Sequence, residues 1–160
     1  MSNKEKKYQR LYTQLEGLLG TTDHVSSRWA TIEAILHHKI NYFFWTGIYL
    51  LHDGELLVHS YQGPVACQKL HKDVGVCWAS INQERTIVVA DVHDFPGHIA
   101  CNSATNSEIV IPLRNKEGEI IGCFDVDSRE TGAFDEIDAR ELERILQLVY
   151  SLPCNDCAHE

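Results

Sequence analysis

An Asp-Gly pair, Asp53-Gly54, separates two apolar runs in the first half of the chain. The first run, residues 42–51, is rich in aromatic and β-branched side chains, and the second covers residues 55–61. An Asp-Gly pair in this setting is typical of a tight β-hairpin, because both turn positions tolerate a positive φ. The sequence therefore predicts two consecutive antiparallel strands here.

The remaining patterns add strands and helices on either side of this hairpin. Further strands are predicted over 86–90, 107–113 and 119–127, the last two joined by a turn at 115–118. Apolar residues recur at helical spacing over 4–19, after Asp23 as an N-cap, near 75–83, and over 135–152. Hairpin connections imply an antiparallel sheet, and both ends of the chain supply helices to cover one face. The predicted class is α+β.

Length and charge limit the classes of function. The chain has 160 residues, enough for one domain with a full core, which we place at residues 1–152, followed by a short tail at 153–160. Its net charge of −9 disfavours nucleic acid or an anionic membrane as the partner, because phosphate binding needs a basic patch. The N-terminus lacks the apolar stretch of a signal peptide, so a cytoplasmic, reducing location is expected.

Six cysteines in a reducing compartment are core residues, metal ligands or redox groups. Cys123 lies in an apolar strand and is interpreted as a small core residue. Cys67, Cys77 and Cys101 each follow a turn sequence containing glycine, which indicates loops or element starts at one rim of the sheet. Cys101 lies in segment 91–106, and irregular segments of this length are often functional. His98 and a turn at 102–103 are candidates for activating its thiol.

Carboxylates and aromatic rings supply a second candidate set. Asp125 and Asp127 alternate along one strand and so project from the same face, and Glu108 opens the neighbouring strand. Two aspartates on one strand face repel each other unless a cation lies between them. The alternative is that both are strand-end residues bonded to a following turn at 128–129. Trp45 and Tyr49 also share a strand face, either as core residues or as part of a ligand cage.

Four stretches together resemble a known family. They read GPVAC at 63–67, DVHDFPGHIAC at 91–101, SEIVIPL at 107–113 and GEIIGCFDVDS at 118–128. They are similar, in the same order, to segments of free methionine-(R)-sulfoxide reductases, enzymes built on a GAF domain. The resemblance runs from about residue 6 to residue 150. The chain departs from the usual family pattern at Trp78 and Asn102, where glycine and aspartate are common.

The resemblance implies a GAF-like fold whose loops form a pocket on the sheet face opposite the helices. It implies thiol-dependent reduction of the R-sulfoxide of free methionine, with Cys101 as the nucleophile and Cys77 and Cys67 both open as the resolving thiol. Glu108 is our candidate for the proton donor. The implied pocket residues are Trp45, Tyr49, Glu108, Asp125 and Asp127. Thioredoxin would be the external reductant, no metal or organic cofactor is needed, and a homodimer is compatible with the sequence.

Two other readings stay open at the level of the sequence. A GAF-type sensor would bind a small molecule without turnover, although a chain of this length without an attached output domain disfavours it. A zinc protein would use Cys154, Cys157 and His159, whose C-x2-C spacing suits zinc but needs further ligands. The same cysteine pair is also a hypothetical accessory dithiol.

Overall fold

Six strands form one antiparallel sheet in the computed structural model, which describes residues 1–98 and 101–157. The strands lie in the order β3-β2-β1-β6-β5-β4, so the two hairpins β1-β2 and β5-β6 meet at the centre of the sheet. The elements, in chain order, are α1 (Asn3–Leu19), α2 (Val25–Lys39), β1 (Trp45–His52), β2 (Glu55–Gln62), β3 (Lys69–Leu70), α3 (Gly75–Gln83), β4 (Ile87–Val89), a 3-10 turn (Val92–Asp94), β5 (Ser107–Arg114), β6 (Ile120–Ser128) and α4 (Glu136–Ser151).

The two faces of the sheet are covered differently. Helices α1, α2 and α4 pack on one face, where they enclose the larger apolar core with Ile48, Phe124 and Val126. Strand alternation sends Tyr49 and Cys123 to the opposite face, which α3 and the loops cover. The predicted α+β class, with terminal helices on one face, is confirmed.

Helix α4 begins as predicted and is tied to the rest of the helix layer. Asp135 is its N-cap and forms a capping box with Asp138. The Asp138 carboxylate is fully buried and accepts hydrogen bonds from the hydroxyls of Tyr8 and Tyr42 and from Lys4 Nζ. Every oxygen of this buried carboxylate therefore has a partner.

Three local features differ from the sequence predictions. The N-cap of α2 is His24, not Asp23, because His24 Nδ1 accepts the hydrogen bond of the Ser27 backbone. The first strand begins at Trp45 instead of residue 42, since Phe43 belongs to the core under the helices and its backbone closes a turn onto Ile40. Strand β3 was not predicted, because it consists of only two residues at the edge of the sheet.

None of the helices within the described part of the chain is long and apolar enough for a membrane span.

Candidate active site

A cavity of about 150 Å³ opens on the sheet face opposite the helices. The central strands form its floor, and α3, the segment around residues 65–71, His98 and the segment 101–105 form its walls. All eight candidate site residues predicted from the sequence line it: Trp45, Tyr49, Cys67, Cys77, Cys101, Glu108, Asp125 and Asp127. The predicted pocket is thus present.

Strand register brings the three carboxylates together. Glu108 on β5 pairs directly with Asp127 on β6, and Asp125 follows on the same face two residues away. Both aspartates lie inside β6, and Asp127 Oδ2 accepts a hydrogen bond from Thr105 Oγ1 at 3.3 Å. Asp127 is the last but one residue of β6, but among the described residues neither aspartate side chain bonds to residues 128–129, so the turn-bonding alternative is not supported.

The burial of these carboxyl groups disfavours their charged form. Glu108 is 6% exposed and Asp125 is 5% exposed, and Oδ1 of Asp125 and Oδ1 of Asp127 are buried without a hydrogen-bond partner among the described residues. Burial raises the pKa of Asp125 to about 6. Burial, followed by the charge of Asp125, raises the pKa of Glu108 and that of Asp127 well above their usual values. A cation that reached the cluster would replace protons and relieve the repulsion.

An aromatic wall stands beside the acidic cluster. The Trp45 ring stacks between Tyr49 and Tyr61, with ring centroids 5.8 Å and 5.4 Å apart, and its Nε1 donates to the Pro64 carbonyl at 3.1 Å. Gly47 makes this arrangement possible, because a Cβ there would collide with the Trp45 ring. Trp45 and Tyr49 are both buried, as the core interpretation requires, and both line the cavity, so the ligand-cage interpretation stays a prediction.

The cysteines of the cavity differ in their state. Cys67 and Cys101 form a disulfide, with Cα atoms 5.7 Å apart. Cys77 is a buried free thiol on α3, beside the free thiol of Cys123. Hydrogen bonding to Cys123 raises the pKa of Cys77 well above its usual value, and burial and the charge of Asp125 act in the same direction. Cys123 is fully buried, as predicted for a core residue.

The surroundings of Cys101 match the sequence in part. Asn102 Oδ1 accepts from the Ala104 backbone at 2.8 Å, which is the turn expected after Cys101. His98 Nδ1 lies 4.0 Å from Glu108 Oε2, too far for a hydrogen bond. Burial and the charge of His93 lower the pKa of His98, while the pKa of Glu108 is raised, so the pair is better described as neutral than as ionic.

The other departure from the family pattern, Trp78, is buried, and its Nε1 has no hydrogen-bond partner among the described residues. Trp78 is buried in the apolar cluster on the cavity side, and α3 is regular over Gly75–Gln83. The backbone around Cys77 is therefore helical.

The C-terminal pair lies on the helix side of the molecule. Cys154 and Cys157 form a disulfide, and this segment contacts the α1-α2 connection through Asn155 N, which donates to the Gly20 carbonyl at 2.7 Å. Both sulfurs are therefore occupied by each other and not arranged around a metal. His159, the third ligand of the zinc hypothesis, lies outside the described residues.

Two contacts of the site were missed from the sequence. Thr105 supports Asp127, and Cys123 contacts Cys77. Thr105 lies in the irregular segment that we marked as functional, so its position was a usable signal. The Cys77–Cys123 contact depends on how α3 lies over the sheet, and no local pattern reports that.

Comparison with known proteins agrees with this geometry. The sequence profile of the GAF domain matches residues 32–150. GAF domain-containing protein A of Dictyostelium discoideum is 46% identical over 148 residues, covering 92% of each chain. The free methionine-R-sulfoxide reductase of Escherichia coli is 35% identical over 144 residues, covering 90% of this chain and 87% of that protein.

A solved structure gives the same result. The X-ray structure of the free methionine-R-sulfoxide reductase of Neisseria meningitidis, in complex with its substrate, superposes with a TM-score of 0.86 at 34% identity, covering 93% of this chain and 89% of that one. The chain belongs to the GAF domain family. Within that family it is similar to the free methionine-R-sulfoxide reductases along nearly its whole length, which confirms the resemblance inferred from the sequence.

Proposed function

We propose that this protein reduces the R-sulfoxide of free methionine to methionine, with a cysteine as the reductant and thioredoxin as the source of electrons. The observation that carries the proposal is the lining of one cavity by a Cys67–Cys101 disulfide and three carboxylates, of which Glu108 and Asp125 are buried and Asp127 is half-buried. Relatives with this activity by name cover nearly the same length of chain.

The acidic cluster explains a preference for the free amino acid. The substrate ammonium group would bind at Asp125 and Asp127, whose Oδ1 atoms are buried and unpartnered. Charge-assisted hydrogen bonds of this kind are the strong ones. A methionine residue within a peptide presents an amide instead of the ammonium, and the carboxylates would then stay unpaired in a buried site.

The aromatic wall suits the other end of the substrate. Trp45 and Tyr49 border the cavity, and sulfur–aromatic contacts, which often form at the ring edge, contribute about 0.3–1.5 kcal/mol. We assign the S-methyl end to this wall, which leaves the sulfoxide group to face Cys101.

Reduction begins with Cys101 as a thiolate. Its sulfur attacks the sulfoxide sulfur, Glu108 supplies a proton to the sulfoxide oxygen, and the oxygen passes to Cys101 as the S–O bond of the substrate breaks. Methionine leaves, and Cys101 holds a sulfenic acid. The raised pKa of Glu108, from burial and the charge of Asp125, keeps it protonated as a donor requires.

Cys67 is our choice for the resolving thiol. Its sulfur attacks the sulfenic acid of Cys101, the disulfide forms, and the oxygen leaves as water. The Cα separation of 5.7 Å in the bonded pair lies within the usual range for a disulfide. Cys77 is buried beside Cys123 and is less suited to the step. An external dithiol, which we assign to thioredoxin, then exchanges with the disulfide and restores both thiols.

A coupled assay tests the proposal. Thioredoxin, thioredoxin reductase and NADPH are mixed with the protein, and NADPH oxidation is followed for the free R-sulfoxide, the free S-sulfoxide and N-acetylmethionine R-sulfoxide. We expect turnover of the free R epimer alone. Turnover of the acetylated compound at the same rate would remove the role given to the acidic cluster. Binding of the free amino acid without turnover by any thiol reductant would favour the sensor reading instead.

A further inference from the structure

Three side chains of the cavity lie close together, although the proposed reaction does not use them as one group. The ligand atoms of Cys77, Glu108 and Asp125 all lie within 4.8 Å of one another. All three side chains are more than nine-tenths buried, Asp125 lines the cavity, and its Oδ1 has no hydrogen-bond partner within 1–98 and 101–157. Asp125 belongs both to this group and to the acidic cluster, since Asp127 lies two residues further along the same face of β6.

We propose that Cys77, Glu108 and Asp125 form a binding site for a thiophilic divalent cation, Zn²⁺, which blocks the cavity. One thiolate and two carboxylates are ligands that zinc accepts, at bond lengths of about 2.0–2.3 Å. At tetrahedral angles two such ligands lie about 3.3–3.8 Å apart, so the three side chains, now within 4.8 Å of one another, would close by at most about 1.5 Å. The thiolate disfavours Mg²⁺ and Ca²⁺, which prefer oxygen ligands.

The site is independent of the redox state of the other cavity cysteines. Cys77 is a free thiol while Cys67 and Cys101 are joined, so the disulfide form of the protein retains all three ligands. On binding, the Cys77 thiol and any protonated carboxyl release their protons to solvent, and the metal–sulfur bond takes the place of the S–H bond. Three protein ligands leave a fourth position of zinc open towards the cavity.

Occupancy would interfere with substrate. This part of the inference rests on the proposed function, in which the substrate ammonium approaches Asp125. Zn²⁺ at Asp125 places a positive charge where that ammonium would bind, so the two ligands exclude each other. We therefore expect Zn²⁺ to inhibit turnover competitively with the sulfoxide.

Titration of the disulfide form of the full chain with Co²⁺ tests the site. Co²⁺ is used because a thiolate-to-cobalt charge-transfer band reports sulfur ligation directly, and Zn²⁺ should then displace it. We expect the band in the wild type and its loss in Cys77→Ser. Loss of even an outer partner of a metal ligand typically costs about 10- to 100-fold in affinity, so Asp125→Asn should weaken binding at least as much.

Glu33→Gln is the matched control. Glu33 is also a buried carboxyl, but it lies on α2 against Ser60, on the helix side of the sheet. The Glu33→Gln variant should bind Co²⁺ as the wild type does. Thermal melting shows whether each variant is folded. The inference is overturned if the wild-type disulfide form gives no band, if the band appears only after reduction, or if a folded Cys77→Ser keeps it.

A Co²⁺ titration in the presence of free methionine separates this inference from the proposed function. Saturating free methionine should weaken Co²⁺ binding, and unchanged binding would overturn the overlap of the two ligands. A protein that binds Co²⁺ through Cys77 but reduces no sulfoxide would refute the proposed function and keep the metal site. Turnover of the R-sulfoxide without any Co²⁺ band would refute the metal site and keep the proposed function.

Discussion

Both faces of the sheet bury carboxylates, but they treat them in opposite ways. On the helix side, the Asp138 carboxylate is fully buried and accepts from Tyr8, Tyr42 and Lys4. On the cavity side, Asp125 is almost as deeply buried, yet its Oδ1 has no partner and its neighbours are themselves acidic. One carboxylate is satisfied by the fold, and the other is left to be satisfied by a ligand.

This difference indicates which buried carboxylate destabilises the folded state. An unpaired buried acid destabilises the folded state, whereas a buried acid with several donors holds elements together. Asp138 joins α1, α4 and the α2-β1 connection, while Asp125 joins nothing except the groups of the cavity. Substitution on the helix side should therefore lower stability, and substitution on the cavity side should lower activity.

The largest effect on activity is expected where the two disulfides, one on each side of the molecule, are compared. Cys101→Ser should abolish reduction of the free R-sulfoxide, because it removes the attacking sulfur. Cys154→Ser is the matched control, since it removes one sulfur of the pair near Gly20 and should keep wild-type turnover. The coupled NADPH assay measures both, and an active Cys101→Ser would refute the mechanism.

Asp138→Asn tests the helix side of the comparison. The substitution removes the charged partner of Lys4 and places amide hydrogens against the hydroxyls of Tyr8 and Tyr42. Breaking a buried charge pair typically costs about 3–5 kcal/mol, and we expect a loss of this size in urea unfolding. Turnover per folded molecule should stay near the wild-type value. A variant as stable as the wild type would contradict the structural role of Asp138.

Asp125→Asn tests the cavity side. Loss of a charged hydrogen-bond acceptor for the substrate ammonium, worth about 1.5–3 kcal/mol, should lower kcat/KM for the R-sulfoxide by about 10- to 150-fold. Because the carboxylate it removes is buried and unpartnered, the melting temperature should be unchanged or higher. A lower melting temperature with full activity would reverse the assignment of the two faces.

The sequence predicted more of the cavity than of its surroundings, and the reason is the regularity of strands. Side chains alternate along a strand, so Asp125, Asp127 and Glu108 could be placed on one face from their spacing and from the hairpin turn. The contact of Cys77 with Cys123 depends on the packing of α3 on the sheet, which local patterns do not determine. The three-carboxylate cluster was predicted because hairpins are local, and the metal-ligand group was missed because it needs a helix placed in three dimensions.

The smallest expected effect concerns Glu33, a helix-side carboxyl that lies between the two extremes. Its only hydrogen-bond donor among the described residues is Ser60 Oγ, and burial raises its pKa from 4.5 to about 7, against the lowering effect of Ser60. The folded state thus binds this proton more tightly than the unfolded chain does. Its contribution to stability is complete below about pH 4.5, declines as the pH rises to about 7, and is constant above that.

Glu33→Gln removes this titration, since the amide carries no charge at any pH. The difference in unfolding free energy between variant and wild type should grow in favour of the variant from pH 4.5 to pH 7, by on the order of 1–3 kcal/mol. Exposed Glu16→Gln on α1 is the control and should show no such trend. A flat difference would mean that Ser60 stabilises the charged form fully, and Glu33 would then belong with Asp138 among the carboxylates that the fold satisfies.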